Sequence, residues 1–491
     1  MLNIDQAKLA VQVMTARAKA GQRTAMRRDL ALRLQYYEGD QVADTEEALR
    51  DRFPGNDRAI GEYLETYNLT KEIVDARSQV VWRSPDRTLY DAAGNEVTDQ
   101  VLIDLWEFLV RKGELNSRME MFNRYSNLWK NCIVWPRFRD NGAEQWIKWD
   151  AFSAASLWVT QDEDNPDELD AAKQVIILLA GRTDTSSIEM SRFGIYTQED
   201  YGVAEGTIQG GYPLLYRWIQ EPAPHGLGCI PLVNFPDGLP IGEMWACGGR
   251  NLIDANRAIN AKLTDTSYLF AMQSHGQMVI MSDDPKTKIE IGPGKAIRVD
   301  PVEGASVTYV QPGGRLSEAQ EWIDWTLKAH ANEHNLSPNR FAAERQALSG
   351  IAKVLDELDL IEDVGRQQRL FLPREADLFR KTAAVWNASV GDGRKFPDGT
   401  EQRVSYVPYT LPTDPLVEIE AVERRIKLGA VPAYDAVKMV QPDLTDEEAE
   451  EQWRENLAMR KDTIAAETPL TGPAFNFDLR DDEEEPDEPV A

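Results

Sequence analysis

The sequence is poor in the residues that usually carry chemistry. It has only four histidines and three cysteines in 491 residues. Cys132, Cys229 and Cys247 are widely spaced, odd in number and in no C-x-x-C pair. No disulfide framework and no thiolate zinc site is therefore expected, and a reducing compartment is. Nowhere do eighteen apolar residues run together, so no membrane-spanning helix is expected. The opening MLNIDQAKLAVQVMTARAKAG reads as an amphipathic helix without the apolar core of a signal peptide. A soluble protein made in a cytoplasm is the expectation.

Positive charge is also scarce. Lys and Arg number 54 against 82 Asp and Glu, a net charge of −28. A protein that grips duplex DNA neutralises phosphates with basic groups, so most of this surface should repel DNA. The C-terminal DDEEEPDEPVA holds seven of the acidic residues, so the acidity extends well beyond the tail.

What is present is ordinary globular material, 42% apolar and 28% charged, which excludes general disorder. The length suits two to four folding units. Residues 5 to 37 read as helix, with a basic patch at Arg23, Arg27, Arg28 and Arg33. From about 83 to 240, short runs such as RTLYD, CIVWPRF, SLWVT, QVIILLA, RFGIYT and LLYRWIQ read as strands, interrupted by a helical insert around 99 to 130. A helix follows from about 244 to 273, with Leu252, Ile259, Leu263 and Phe270 on one stripe. Three short strands, QMVIM, KAIRV and SVTYV, precede a second helix, LSEAQEWIDWTLKAHANEH. A polar interruption at 335 to 350 leads into a long helix, 351 to 389, that Pro373 should kink or break. The strand EQRVSYVPY and two short helices, 415 to 428 and 432 to 460, come next, and 463 to 491 reads as disordered. There is no internal repeat.

One stretch matches a catalytic pattern. KAHANEHNLSP contains His330, Glu333 and His334, an H-x-x-E-H of one zinc-protease class. Two histidines four apart share a helix face, as a metal would need. The same spacing continues an apolar stripe from Trp322, Ile323 and Leu327 through Ala331, so the histidines are expected to pack between helices or between subunits. The helix also ends one residue after His334, which would leave a second ligand on a fraying turn. Zinc catalysis by His330, Glu333 and His334 is the remote alternative. IGPGKAI, at 291 to 297, lacks the first glycine and the Ser or Thr of a phosphate-binding loop and reads as a hairpin turn. The pairs Asp283-Asp284 and Asp162–Asp164 read as solvated loop charge. No catalytic residue, no metal and no cofactor is assigned.

Several phrases, in their order and spacing, resemble the portal proteins of tailed double-stranded DNA bacteriophages. QYYEGDQ (35 to 41) followed by NLTKEIVDARSQVVWRSP (68 to 85) is similar to that family's N-terminal signature. IPLVNFPDG (230 to 238) and NLIDANRAINAKLTDT (251 to 266) resemble its approach to the stem. LSGIAKVLDELDL (348 to 360) resembles the start of its long helix. The resemblance covers about residues 30 to 460.

That resemblance implies an α+β fold, mainly helical, with a β-rich wing (1–243), stem helices (244–274 and 317–335) and a small β clip between them (275–316). It further implies a tunnel loop (336–349), a long helix with a return strand (350–412), a helical crown (413–462) and the acidic tail (463–491). It implies a ring, usually of twelve subunits, at one capsid vertex, assembled in the host cytoplasm and retained in the virion. The partners would be other copies of the chain, capsid and scaffold proteins, the ATPase that is the terminase large subunit, and then head-completion or tail proteins. Double-stranded DNA would pass through without sequence specificity. The chain itself would not be an enzyme, since ATP hydrolysis belongs to the motor. Asn339, Arg340, Arg345 and Gln346 would face DNA, although pairing between subunits, for instance with Glu344, is equally open for them. Lys286 and Lys288 would dock the motor. His330 and His334 would lie at subunit contacts, where protonation near pH 6 to 6.5 (roughly the ordinary histidine value) would loosen the ring. An acidic virion scaffold protein without DNA passage is the alternative.

Overall fold

A computed structural model describes residues 26–52, 61–162, 164–165, 168–183, 189–209, 211–239, 244–246, 248–274, 277–281, 306–310, 316–341, 355–391, 394–409 and 446–467, with scattered positions between 423 and 437. The fold is α+β. The chain divides into two compact units, Met1–Thr410 and Leu411–Ala491. The second contributes one long described helix, Asp446–Glu467. It runs past the expected start of a disordered tail because Ala465, Ala466 and Glu467 are strong helix formers.

In the first unit, helices α1 (26–38), α2 (Val42–Arg52) and α3 (Leu69–Arg77) come first. Asn68 caps α3, its side-chain oxygen accepting from the Lys71 N–H at 2.9 Å. Strand β1 (Asp86–Tyr90) precedes α4 (Gln100–Lys112) and α5 (Leu115–Trp129). Strands β2 (Asn131–Asp140), β3 (Gln145–Ser153) and β9 (Val233–Pro236) form a three-stranded antiparallel sheet in the order β3-β2-β9. Its pleat sorts side chains between two cores. Cys132 and Val134 face the helical side with Trp106, Phe122 and Phe379, whereas Ile133 and Trp135 face a second cluster with Val175, Ile177 and Tyr196. Pro136 is tolerated in the central strand because β9 pairs only with residues 131 to 134.

Strands β4 (Leu157–Thr160), β5 (Gln174–Thr183), β6 (Glu189–Tyr196), β7 (Asp200–Gln209) and β8 (Tyr212–Pro224) form a five-stranded antiparallel meander. Helix α6 spans Arg250–Ser274. It starts later than its periodicity predicts, because Gly248 and Gly249 hold φ of 104° and 84°, which no helix accommodates. Strands β10 (Gln277–Met281) and β11 (Ser306–Val310) then pair antiparallel, Gln277 opposite Val310. The expected middle strand KAIRV lies outside the described residues. Helix α7 (Leu316–Glu333) returns along α6, and the Asn251 side chain donates to Glu333, joining the start of one helix to the end of the other.

Helix α8 (Leu358–Ser389) runs through Pro373 without a break. Pro373 and Arg369 lie on the exposed face, where water can satisfy the Arg369 carbonyl, while Phe371, Leu378 and Phe379 hold the buried face. Strand β12 (Glu401–Ser405) closes the unit by pairing antiparallel with β1. Among the described residues, no helix is long and apolar enough to cross a membrane.

Candidate functional site

The excursion α6–β10–β11–α7 springs from a junction where α1, α3, α5 and α8 meet, and that junction is built from charge. Arg77, at the end of α3, donates from Nε and Nη2 to Asp363 Oδ2 at 3.0 and 2.9 Å. Asp363, in the second turn of α8, also takes Arg366 at 2.5 Å and the Gln367 amide at 2.8 Å. Asp237 binds Lys130 and lies 3.5 Å from Arg77. Arg33 of α1 reaches Asp29 at 2.5 Å, the Gly248 carbonyl at 2.5 Å and the Leu128 carbonyl at 3.3 Å. Burial opposes the charged forms of Asp363 and Asp237, but the neighbouring cations outweigh it, and both carboxyl pKa values lie below the ordinary value. Burial also lowers the Lys130 pKa, against the pull of Asp237.

A second set of bonds laces α6 to the start of α3 and the segment before it. The side-chain oxygens of Asn256, Asn260 and Thr264 accept from the backbone N–H groups of Thr70, Tyr67 and Glu65 at 2.9, 2.9 and 3.1 Å. These three residues follow one another at i, i+4, so one turn of α6 serves one point of the segment. The Asn256 amide donates to the Tyr67 carbonyl at 2.7 Å, and Gln41 accepts from Asn260 at 2.6 Å. All three are completely buried. A polar stripe inside a helix of this length is the signal in the sequence that points to the ladder. The charged junction has no such signal, because its members are scattered along the chain.

The H-x-x-E-H stretch sits at this junction without forming a ligand set. The Nδ1 of His330 lies 3.0 Å from Glu333 Oε2 on the outer side of α7. His334 is 8% exposed and faces Arg77 and Lys130, cations that would oppose a bound metal ion. Among the described residues, no group of three His, Cys, Asp or Glu could hold a metal. The turn is not frayed, as expected from the sequence, but locked. Asn335 adopts a left-handed φ of 59°, and the Leu336 N–H bonds back to the Ala331 carbonyl at 2.9 Å. His334 is buried within the subunit, among the ends of α3, α5 and α7. Burial, then Arg77 and Lys130, push its pKa down to about 4, so it stays neutral at the pH of 6 to 6.5 expected from the sequence. Trp322 departs from the predicted buried stripe and is 39% exposed, because Ala319 and Thr326 take the inward face instead.

Of the expected DNA-facing residues, Asn339 and Arg340 lie in a short 3-10 turn, Pro338–Phe341, and are exposed. The Asn339 amide donates to Asp356 at 3.0 Å, and Ser337 bonds the same carboxylate, pinning the start of the loop to the chain just before α8. Glu344, Arg345, Gln346, Lys286 and Lys288 lie outside the described residues. Cys132 and Cys229 are free and buried. No protein-family model matches the chain, and no curated protein matches it.

Proposed function

We propose that the chain is the subunit of a portal ring at one vertex of a tailed-phage capsid, a conduit and docking platform rather than an enzyme. What supports this reading above all is the excursion from α6 through β10 and β11 to α7. Two helices leave the α+β unit, turn at a small antiparallel sheet and return to the same junction. In a ring of copies these helix pairs would line a channel, and the paired strands would form its outer mouth. The charge has a physical use there. A net −28 per copy surrounds a duplex that carries one phosphate charge about every 1.7 Å of axis. Acidic walls keep a conduit from binding what it conducts.

On this reading, the work is mechanical. The ring organises capsid and scaffold proteins and holds the packaging ATPase, the terminase large subunit, at the mouth formed by β10 and β11. It then exchanges that motor for head-completion or tail proteins. The pinned turn at 337–341 is where the chain would face passing DNA, with Arg340 the exposed cation. Assembly would take place in the host cytoplasm, and the ring would remain in the virion.

Sedimentation and negative-stain microscopy of the purified chain test the proposal. Closed rings with a central hole, of about a dozen subunits, are the expected result. A stable monomer or an open filament at micromolar concentration would overturn it and favour an acidic virion scaffold protein without DNA passage.

A further inference from the structure

The junction encloses a small cavity at the first turn of α6. It measures about 10 Å³, the size of one water-sized guest. Arg33, Arg77 and Lys130 line it together with His334, and no carboxylate does. Asp29, Asp237 and Asp363 hold these same cations but do not line the cavity.

Three further features shape its lining. It opens onto Gly249, Leu252 and Ile253, the N-terminal end of a 25-residue helix, where the helix dipole is positive. Lys130 is held in the left-handed region, φ 67°, a strained conformation for a residue with a side chain. Gly249 lets Arg33 and Lys130 close in on the same point. A Cβ there would meet Arg33 Nη1 at 2.7 Å and Lys130 Cε at 3.0 Å. Strain and close approach thus bring three cations together in a buried place, where Asp29, Asp237 and Asp363 balance them from outside the cavity and leave its lining without a negative group.

His334 is the observation that points to a guest. It is 92% buried as the complement of its 8% exposure, and its Nε2 is buried with no hydrogen-bond partner in the chain. An unpaired buried polar atom is costly unless a bound species completes it. Lys130 spends one of three N–H groups on Asp237, and Arg77 spends Nε and Nη2 on Asp363 and Asp237, which leaves Arg77 Nη1 and two Lys130 N–H groups unused by these carboxylates.

We propose that this cavity binds one monatomic anion of the chloride class, received by Arg77, Lys130 and the Nε2–H of His334. The ion ties α3, α5 and the turn after α7 to the start of α6. The site lies within one subunit, so its failure would leave the ring proposal standing, and the converse also holds.

The test uses the full chain at pH 7.5 in about 150 mM sodium chloride, sodium bromide or sodium gluconate, matched in ionic strength. Both halides should raise the Tm by about 2 °C or more over gluconate, with saturation as halide is titrated in. His334→Ala should remove that difference between halide and gluconate. Crystals of the unmutated chain in bromide should show one anomalous peak in the cavity beside His334 Nε2. Equal Tm values in chloride and gluconate would overturn the proposal. So would a cavity occupied by a water with no bromide signal, which would make His334 the acceptor of an ordinary structural water.

Discussion

The two ends of the α6–α7 pair are built on opposite plans. Near the junction, Ile253, Asn256, Ile259, Asn260 and Thr264 are fully buried on α6, and Ala331 and His334 are buried at the end of α7. Toward β10 and β11, Phe270 is 64% exposed, and along the outer face of α7 Trp325 and Trp322 are 67% and 39% exposed. The near end is polar inside and closed by its own chain. The far end displays large apolar side chains to the surroundings. A hydrogen-bond ladder fixes register, because each N–H has one acceptor and a slip of one turn leaves buried groups unsatisfied. Apolar contact fixes no register but makes association favourable by removing surface from water. The near end therefore sets where the helices stand, and the far end supplies surface for another molecule to cover.

The sharpest break of this contrast is at Arg77. Replacing it with Ala removes both N–H bonds to Asp363, whose side chain is 1% exposed, and one partner of Asp237. Leaving buried carboxylates unpaired should cost about 3–5 kcal/mol, read as a lowered urea midpoint. A loss below about 1 kcal/mol would show that the junction is not what anchors the pair.

Acid should loosen the same end by a second route. The folded pKa of His334 is about 4, against 6.5 for a free histidine, so the unfolded chain takes up its proton first. The contribution is fully present above about pH 6.5 and declines as pH falls toward 4, reaching roughly 3 kcal/mol in total. Arg77, Lys130 and His330 work against the protonated ring, and Glu333 works for it. Asp363 and Asp237 lie below the ordinary carboxyl value, so their share is lost at lower pH still. Urea unfolding at pH 7.5 and 5 separates the two. The drop between those values should shrink in His334→Gln, and an undiminished drop would assign it to other groups.

The two ends also differ in how far the sequence discloses them. Helical periodicity, the QMVIM and SVTYV strands and the return strand after α8 are local patterns, and each corresponds to a described element. Local rules erred where tertiary context decided. Pro373 stands inside α8 because its side faces solvent, and α6 waits for two positive-φ glycines to pass. His330 and His334 share a helical face by spacing, yet one bonds Glu333 outside while the other turns inward beyond the last residue of α7. The junction is illegible locally because Arg77 and Asp363 are 286 positions apart, and Arg33 finds the Gly248 carbonyl 215 positions away. Only the fold brings them together, whereas the Asn256–Asn260–Thr264 spacing could be read from one helix.

The smallest effect on the single chain belongs to the exposed apolar face of the pair, and it separates the two plans most cleanly. Trp325 is 67% exposed, so Trp325→Ser should change unfolding stability of the isolated subunit by only about 0.5 kcal/mol, and Trp322→Ser, at a site 39% exposed, by about 1 kcal/mol. If neighbouring copies cover these indoles in the proposed ring, each one lost removes buried aromatic area from every contact around it. Sedimentation velocity should then show the double variant shifted from ring to smaller species at concentrations where the unmutated chain is closed, with the urea midpoint of the dissociated chain nearly unchanged. A ring that sediments like the unmutated one would mean that the tryptophans face the channel or a later partner. A large loss in the midpoint would mean that the exposed apolar face helps hold its own subunit, and the contrast with the buried polar ladder would fail.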